Sequence, residues 1–162
     1  MNNVGFIGTG NMGFAIMKGI SESSLKDNVK IHAFDLKSDS LQRCSDIATL
    51  CSSEKEVVEN CKYVFLAVKP QVIDGVLATI KDYVTKDTVI VSILAGITGE
   101  YIKSQTIPDA KVVLVMPNTP LLLNQGASAL SPVAPVTDEE FNFVRSIFDS
   151  CGKTAVLTAD KM

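Results

Sequence analysis

Three glycines near the amino terminus have the types and spacing that bind a diphosphate. Gly8, Gly10 and Gly13 follow an apolar run and precede apolar residues at helical spacing, which predicts a strand, a tight turn and a helix. In such a turn the first glycine permits a sharp bend, the second lets backbone approach a pyrophosphate, and the third lets helix and strand pack closely. The free N–H groups of the helix N-terminus then hold the phosphates. A glycine-rich loop without a ligand is the alternative.

Asp35 is the next residue whose position indicates a nucleotide contact. It ends the apolar segment 30–35, which we expect to be a second strand, and lies 22 residues beyond Gly13. A carboxylate there accepts hydrogen bonds from the adenosine ribose and repels a 2′-phosphate, which favours NAD over NADP. Lys37, Ser38 and Arg43 follow, however, and a cation with a hydroxyl binds such a phosphate. The choice between NAD and NADP stays open, as does a plain turn role for Asp35.

The end of a central strand supplies a second group of candidates. Residues 63–68 are almost all apolar, which is typical of a strand covered on both faces of a parallel sheet. The run stops at Lys69 and Pro70, where proline favours an extended turn. Ligands bind at the carboxyl ends of strands in open α/β sheets, so Lys69 is either a solvated charge or a neighbour of the cofactor.

Two further strand exits have residues suited to a ligand. The apolar segment 88–93 leads into Leu94, Ala95 and Gly96, which form either a short loop or a surface for a flat nicotinamide ring. The segment 111–116 leads into two prolines and Asn118, whose amide offers both donors and an acceptor.

Strand patterns alternate with helix patterns along the rest of the chain. Short strands are predicted at 47–50, 126–131 and 154–157, and amphipathic helices after Ser53 and from 72 to 80. A more weakly patterned helix follows Thr98, and a capping box at 137–140 begins a helix that Gly152 closes. The predicted fold is therefore α/β: a Rossmann-like, doubly wound, mostly parallel sheet of about eight strands with helices on both faces.

Composition narrows the class of protein. A chain of 162 residues, 46% hydrophobic, is expected to form one domain. The net charge of -3 lacks basic clusters, which argues against nucleic acid, and no apolar run reaches the roughly 18–20 residues that span a bilayer. Without a signal-peptide pattern we expect a cytoplasmic protein. Four cysteines lack metal-site spacing, which predicts reduced thiols and no metal. The single histidine, His32, is expected to pack within a strand.

Five segments together resemble one family. They are Gly5–Gly13, Ala67–Gln71, Ser92–Thr98, Met116–Pro120 and Gly152–Lys153. Many β-hydroxyacid dehydrogenases share the first, but the later segments, in this order and spacing, are more selective. Over essentially its whole length, the chain resembles the N-terminal domain of Δ1-pyrroline-5-carboxylate reductase.

The resemblance implies an oxidoreductase of proline biosynthesis, which transfers hydride from NAD(P)H to the C=N carbon of pyrroline-5-carboxylate and forms proline. It implies cofactor binding by one set of residues: Ile7, Gly8, Thr9, Gly10, Asn11, Met12, Asp35, Ala67, Val68, Lys69, Pro70, Ile93, Leu94, Ala95, Gly96 and Asn118. Two positions depart from the family pattern. Asp35 replaces a non-acidic residue of many members, and Glu54 stands where many have asparagine, so both bear on the choice of cofactor.

The resemblance also bears on domain organisation. Members of this family continue into a helical domain that builds a homo-oligomer and grips the substrate. The resemblance therefore implies that residues 1–162 are a single NAD(P)-binding domain, either a piece of a longer protein or a short protein. No catalytic proton donor is identified, so we expect dinucleotide binding with little turnover. The alternatives are a related NAD(P)- or deazaflavin-dependent oxidoreductase and a non-enzymatic dinucleotide sensor.

Overall fold

The computed structural model describes residues 1–117 and 126–158, and one eight-stranded sheet runs through them. Its strands are β1 (Asn2–Ile7), β2 (Val29–Phe34), β3 (Thr49–Leu50), β4 (Tyr63–Leu66), β5 (Val89–Ser92), β6 (Lys111–Pro117), β7 (Gly126–Val133) and β8 (Gly152–Val156). They lie in the order β3-β2-β1-β4-β5-β6-β7-β8. Every neighbouring pair is parallel except β6 and β7, so the predicted sheet is confirmed.

Within the described residues, six α-helices connect these strands. They are α1 (Asn11–Ser21), α2 (Ser38–Gln42), α3 (Glu54–Asn60), α4 (Ile73–Ile80), α5 (Gly99–Gln105) and α6 (Asp138–Asp149). Three single turns of 3-10 helix lie at Ser24–Asp27, Pro70–Val72 and Lys81–Tyr83. No helix within the described ranges is long and apolar enough to cross a membrane.

Strand order places the carboxyl ends of β1 and β4 at the centre of one sheet edge. The chain moves outward from β1 to β2 and β3, then returns to β4 on the other side of β1. Ile7, the last residue of β1, pairs with Leu66, the last of β4. This reversal of direction opens a crevice at the carboxyl ends, where open α/β sheets bind ligands.

A hydrophobic core covers each face of the sheet. On one face, α1 and α6 pack against side chains such as Phe6 and Phe65, whose rings stack with centroids 4.6 Å apart. On the other face, α3, α4 and α5 pack against Val64, Leu66 and Ile90. The central strands are therefore buried on both sides, which explains their nearly continuous apolar sequence.

Two helix caps lie where the sequence predicts them, while some element limits differ. The side chains of Ser53 and Thr137 each accept a hydrogen bond from the first turn of α3 and α6, and Thr98, not predicted as a cap, does the same for α5. The predicted third strand shrinks to two residues, and α6 ends at Asp149, so Gly152 begins β8 instead of closing the helix. Helix α2 is not predicted because a single apolar residue, Leu41, gives it no periodic pattern.

A buried carboxylate ties α6 to the amino ends of two strands. Glu140 is 4% exposed, and its Oε2 lies 2.9 Å from Nζ of Lys111 and 3.0 Å from Nζ of Lys62. Its Oε1 accepts a hydrogen bond from the N–H of Thr137, which completes a capping box. Burial raises the pKa of Glu140, but the Thr137 N–H and the two ammonium groups outweigh it and hold that pKa at about 2.

We predict that Glu140→Gln lowers the free energy of unfolding at pH 7 by about 2 kcal/mol, since it removes hydrogen bonds to a charged group. A carboxyl whose pKa is lowered by folding stabilises the fold only while ionised. Its contribution is complete above its ordinary pKa of 4.5 and is lost as the pH falls toward about 2.

Urea denaturation of both proteins between pH 2 and pH 7 checks this prediction. The difference between wild type and Glu140→Gln should shrink below about pH 4.5. Glu139→Gln, at the exposed neighbouring position, is the matched control and should change stability little. A difference that does not depend on pH would contradict the role assigned to the ionised carboxylate.

Candidate functional site

The turn between β1 and α1 is packed directly against the end of β4. The N–H of Gly8 donates to the carbonyl of Phe34, and the N–H of Ala67 donates to the carbonyl of Ile7, both at 2.9 Å. Gly8 has a φ of 103°, and a Cβ there would lie 2.5 Å from the carbonyl oxygen of Ala67. At Gly13, a Cβ would lie 2.7 Å from the Gly8 carbonyl oxygen. Backbone thus fills the space that any side chain would need.

Gly10 differs from these two glycines because it faces open space. A Cβ at Gly10 would meet no heavy atom within 4 Å, and the residue is exposed. It is the N-cap of α1, where no side chain accepts a hydrogen bond from the first turn and no acidic residue lies in that turn. The helix N-terminus therefore presents N–H donors and the positive end of its dipole to a space that can accommodate an anion.

Two cavities meet at this helix N-terminus. One, of about 450 Å³, extends between the exits of β4, β5 and β6 and includes Leu94 and Met116 in its lining. The other, of about 640 Å³, extends past the end of β2 toward α4. Both are lined by Gly10 and by the segment 67–69. Together they form an elongated cleft along the carboxyl ends of the strands, with the α1 N-terminus near its middle.

Asp35 lies at the end of β2, and its carboxylate is turned toward the glycine turn. Oδ2 accepts hydrogen bonds from the N–H of Thr9 at 2.7 Å and from its hydroxyl at 2.9 Å. Oδ1 accepts the N–H of Lys37 at 2.8 Å. Burial raises the pKa of Asp35, but the N–H groups of Lys37 and Thr9 and the Thr9 hydroxyl outweigh it, so the pKa lies below its ordinary value. The carboxylate is therefore ionised at neutral pH.

Arg43 also contacts Thr9, at its carbonyl oxygen. Its guanidinium donates to the carbonyl oxygen of Thr9 at 2.9 Å and lies over the ring of Phe14, 4.4 Å from the centroid. Sequence reasoning places Arg43 near a nucleotide phosphate but does not identify this contact, since the two residues are 34 positions apart.

The cleft brings together most of the predicted cofactor-binding residues. Those that line it are Ile7, Gly8, Gly10, Asn11, Met12, Asp35, Ala67, Val68, Lys69, Pro70, Ile93, Leu94 and Ala95. Thr9 is completely buried, and Gly96 lines neither cavity. Asn118 lies outside the described residues.

Several residues of the cleft are missed by the sequence analysis. Leu36 and Val72 border the larger cavity with 85% and 48% of their surface exposed, and Met116 borders the smaller one at 45%. Their apolar exposure is visible only after folding. Glu54, noted as a departure from the family pattern, also lines the larger cavity.

Other sequence-based expectations concern residues away from the cleft. All four cysteines are buried free thiols, and burial raises the pKa of Cys61 to about 12. His32 is 8% exposed and pairs with Asn3 at 3.1 Å, and burial lowers its pKa. In residues 1–117 and 126–158, no group of three or more His, Cys, Asp or Glu side chains is placed to hold a metal ion.

Comparison with known proteins identifies similar sequences. Residues 3–96 match the family described as NADP oxidoreductase, coenzyme F420-dependent. Pyrroline-5-carboxylate reductase of Escherichia coli K12 is 35% identical over 156 residues, covering 95% of this chain and 58% of that protein. Pyrroline-5-carboxylate reductase 3 of Danio rerio is 35% identical over 152 residues, covering 92% and 52%. The chain thus spans little more than half the length of these relatives.

Solved structures agree with the sequence matches. A pyrroline-5-carboxylate reductase from Coxiella burnetii superposes with a TM-score of 0.90 at 27% identity, covering 98% of this chain and 60% of the other. The Plasmodium falciparum pyrroline carboxylate reductase, solved with NADP bound, gives 0.85 at 27% identity, with 99% and 59% covered. The sequence-based resemblance is therefore confirmed.

We predict that Gly8→Ala lowers the free energy of unfolding by about 2 kcal/mol or more, because φ is positive and the new methyl group would meet the Ala67 backbone. Gly75→Ala is the matched control: it lies in α4, where a Cβ meets nothing within 4 Å. That change should stabilise the protein by up to about 1 kcal/mol. Urea denaturation of both variants measures these changes. If Gly8→Ala is as stable as the wild type, the turn is less constrained than its contacts indicate.

Proposed function

The chain belongs to the family described as NADP oxidoreductase, coenzyme F420-dependent. From its similarity to pyrroline-5-carboxylate reductases, we propose that its residues form the dinucleotide-binding part of such an enzyme. The observation that carries the proposal is the uncapped N-terminus of α1, which adjoins both halves of the cleft across the open space at Gly10. That arrangement fits a ligand with a central diphosphate and a ring system at each end.

The two cavities divide the cofactor between them. The main-chain N–H groups of Gly10, Asn11 and Met12 bind the diphosphate. The larger cavity takes the adenosine, with Leu36 and Val72 offering apolar surface to the adenine ring. The smaller cavity, lined by Ala67, Val68 and the β5 exit at Ile93–Ala95, would hold the nicotinamide. Gly96, at the same exit, and Asn118 complete the proposed set.

The proposed cofactor is NAD(P)H, and the residues around Asp35 do not decide between NADH and NADPH. The ionised carboxylate of Asp35 disfavours a nearby 2′-phosphate, while Lys37 and Ser40, which line the same cavity, favour one. Oδ1 of Asp35 has one hydrogen bond, from Lys37, and can accept one more from a ribose hydroxyl.

When bound, the reduced nicotinamide supplies the hydride that reduces the C=N bond of pyrroline-5-carboxylate to give proline. The chain's own residues orient the ring and keep water from one of its faces through Leu94, Val115 and Met116. Among the described residues that line this cavity, Lys69 alone has an ionisable side chain, and it is exposed. We therefore propose that residues 1–162 bind the cofactor but turn over little substrate by themselves.

We also propose an oligomeric state and a cellular location for the protein. A homo-oligomer built through a helical domain, as the family resemblance implies, would bring the substrate-binding residues to the smaller cavity. The four free thiols support a cytoplasmic location, because thiols stay reduced in that compartment.

A deazaflavin-dependent oxidoreductase is the second candidate, and the family match over residues 3–96 favours it. The similarity to pyrroline-5-carboxylate reductases over 95% of the chain extends past that match and supports the first candidate instead. A dinucleotide sensor without enzymatic activity remains the alternative from another class.

We predict that the chain binds NADH or NADPH in isothermal titration calorimetry and reduces pyrroline-5-carboxylate far more slowly than a longer reductase of the family does. Binding without turnover by any longer form would favour the sensor. If a longer form transfers hydride between NADPH and coenzyme F420 and does not reduce pyrroline-5-carboxylate, the second candidate is correct.

We also predict that Gly10→Val weakens dinucleotide binding at least tenfold, because its branched side chain would occupy the space in front of the α1 N-terminus. The backbone at Gly10, with φ -67° and ψ -170°, suits any residue, so stability should change by less than about 1 kcal/mol. Gly10→Ala should give a smaller loss of affinity. Wild-type affinity in Gly10→Val would exclude the proposed diphosphate position.

A further inference from the structure

Thr9, the residue between the two glycines of the turn, has every polar group occupied by a distant charged side chain. It is 0% exposed. Its N–H and its hydroxyl donate to Asp35, 26 residues away, and its carbonyl accepts from Arg43, 34 residues away. Hydrogen bonds to charged groups are among the stronger ones in proteins, so the orientation of this peptide unit is set from both sides.

The hydrogen bonds of Asp35 limit what else it can bind. A carboxylate has about four lone-pair positions, two on each oxygen. Oδ2 uses both of its positions on Thr9, and Oδ1 uses one on Lys37. A single position is left, so Asp35 cannot accept two ribose hydroxyls on separate oxygens while it holds Thr9.

The position of Arg43 depends on Phe14 as well as on Thr9. The planar guanidinium lies over the ring of Phe14, in the first turn of α1, and donates to the Thr9 carbonyl. One side chain thus links the turn to the helix whose N-terminus the turn precedes.

The geometry points to Asp35 and Arg43 as positioning residues that hold Thr9, and through it the glycine turn, in the conformation that receives a diphosphate. This inference rests on the proposed function for the identity of the ligand. Thr9 connects Gly8, packed on Ala67, to Gly10, whose open side faces the cleft. Fixing Thr9 before the ligand arrives removes an ordering cost from binding. The positioning contribution of Asp35 is then the same for NADH and NADPH, because both have the same diphosphate, and it is separate from the repulsion between its charge and a 2′-phosphate.

The first test needs no ligand. Amide hydrogen exchange is measured by NMR on the full chain carrying Asp35→Ala or Arg43→Met. Both variants should exchange the amides of Gly8 and Thr9 at least about tenfold faster than wild type, while amides in the middle of β1 and β4 keep their rates. Asp39→Ala and Lys26→Met, which remove exposed charges of the same signs elsewhere, are the matched controls. Unchanged exchange at Gly8 in both variants, or an equal increase throughout the sheet, overturns the inference.

The second test compares the two nucleotides by calorimetry. Asp35→Ala should weaken NADH about tenfold and NADPH by a smaller factor, because loss of the charge also relieves the repulsion of a 2′-phosphate, and Arg43→Met should weaken both nucleotides. If only NADH loses affinity, and NADPH binds as tightly as before or more tightly, Asp35 recognises the ribose instead of positioning Thr9, and the inference is overturned. If the wild-type chain binds neither nucleotide, the proposed function fails, while the exchange experiment still decides whether the turn is held by these two side chains.

Discussion

The close approach of two backbone segments determines the rest of this structure. The turn after β1 lies on the end of β4 so tightly that a Cβ at Gly8 would overlap the carbonyl of Ala67, and one at Gly13 would overlap the carbonyl of Gly8. This contact places the N-terminus of α1 at the carboxyl edge of the sheet. Both cavities exist because the helix begins there and because the strand order reverses between β1 and β4.

The two edges of the sheet are built for different purposes. At the carboxyl edge, the first turn of α1 has no side-chain cap, so its donors stay available for an anion. At the opposite edge, the first turn of α6 is capped by Thr137, and Glu140 in that turn is neutralised by Lys62 and Lys111. The capping box and its ion pairs therefore lie away from the cleft, while the start of α1 keeps its donors free for a ligand. Such a division is common where a binding site sits on a rigid scaffold.

Much of the fold follows from the sequence because the patterns are local. The apolar run at 63–68 predicts a doubly covered strand, and the spacing Thr137 to Glu140 predicts a capping box, since both depend on neighbouring residues. The direction of a strand and the contacts between residues distant in the chain are harder to predict. The antiparallel pairing of β6 with β7 leaves no trace in apolar periodicity, and the contacts of Asp35 and Arg43 with Thr9 join residues far apart in the chain. The sequence predicts Asp35 at the end of a strand, but its contact with Thr9 can be seen only in the folded protein.

The account depends on one claim, that a dinucleotide lies along the carboxyl edge with its diphosphate at the start of α1. Titrating the ¹⁵N-labelled chain with NADPH, and separately with NADH, and following every amide resonance is the most direct measurement. The account predicts that the largest shifts occur at residues 8–12, with further shifts at 67–70 and 93–96. Shifts concentrated at the opposite edge, around Lys62 and Thr88, or no shifts with either nucleotide, would contradict it.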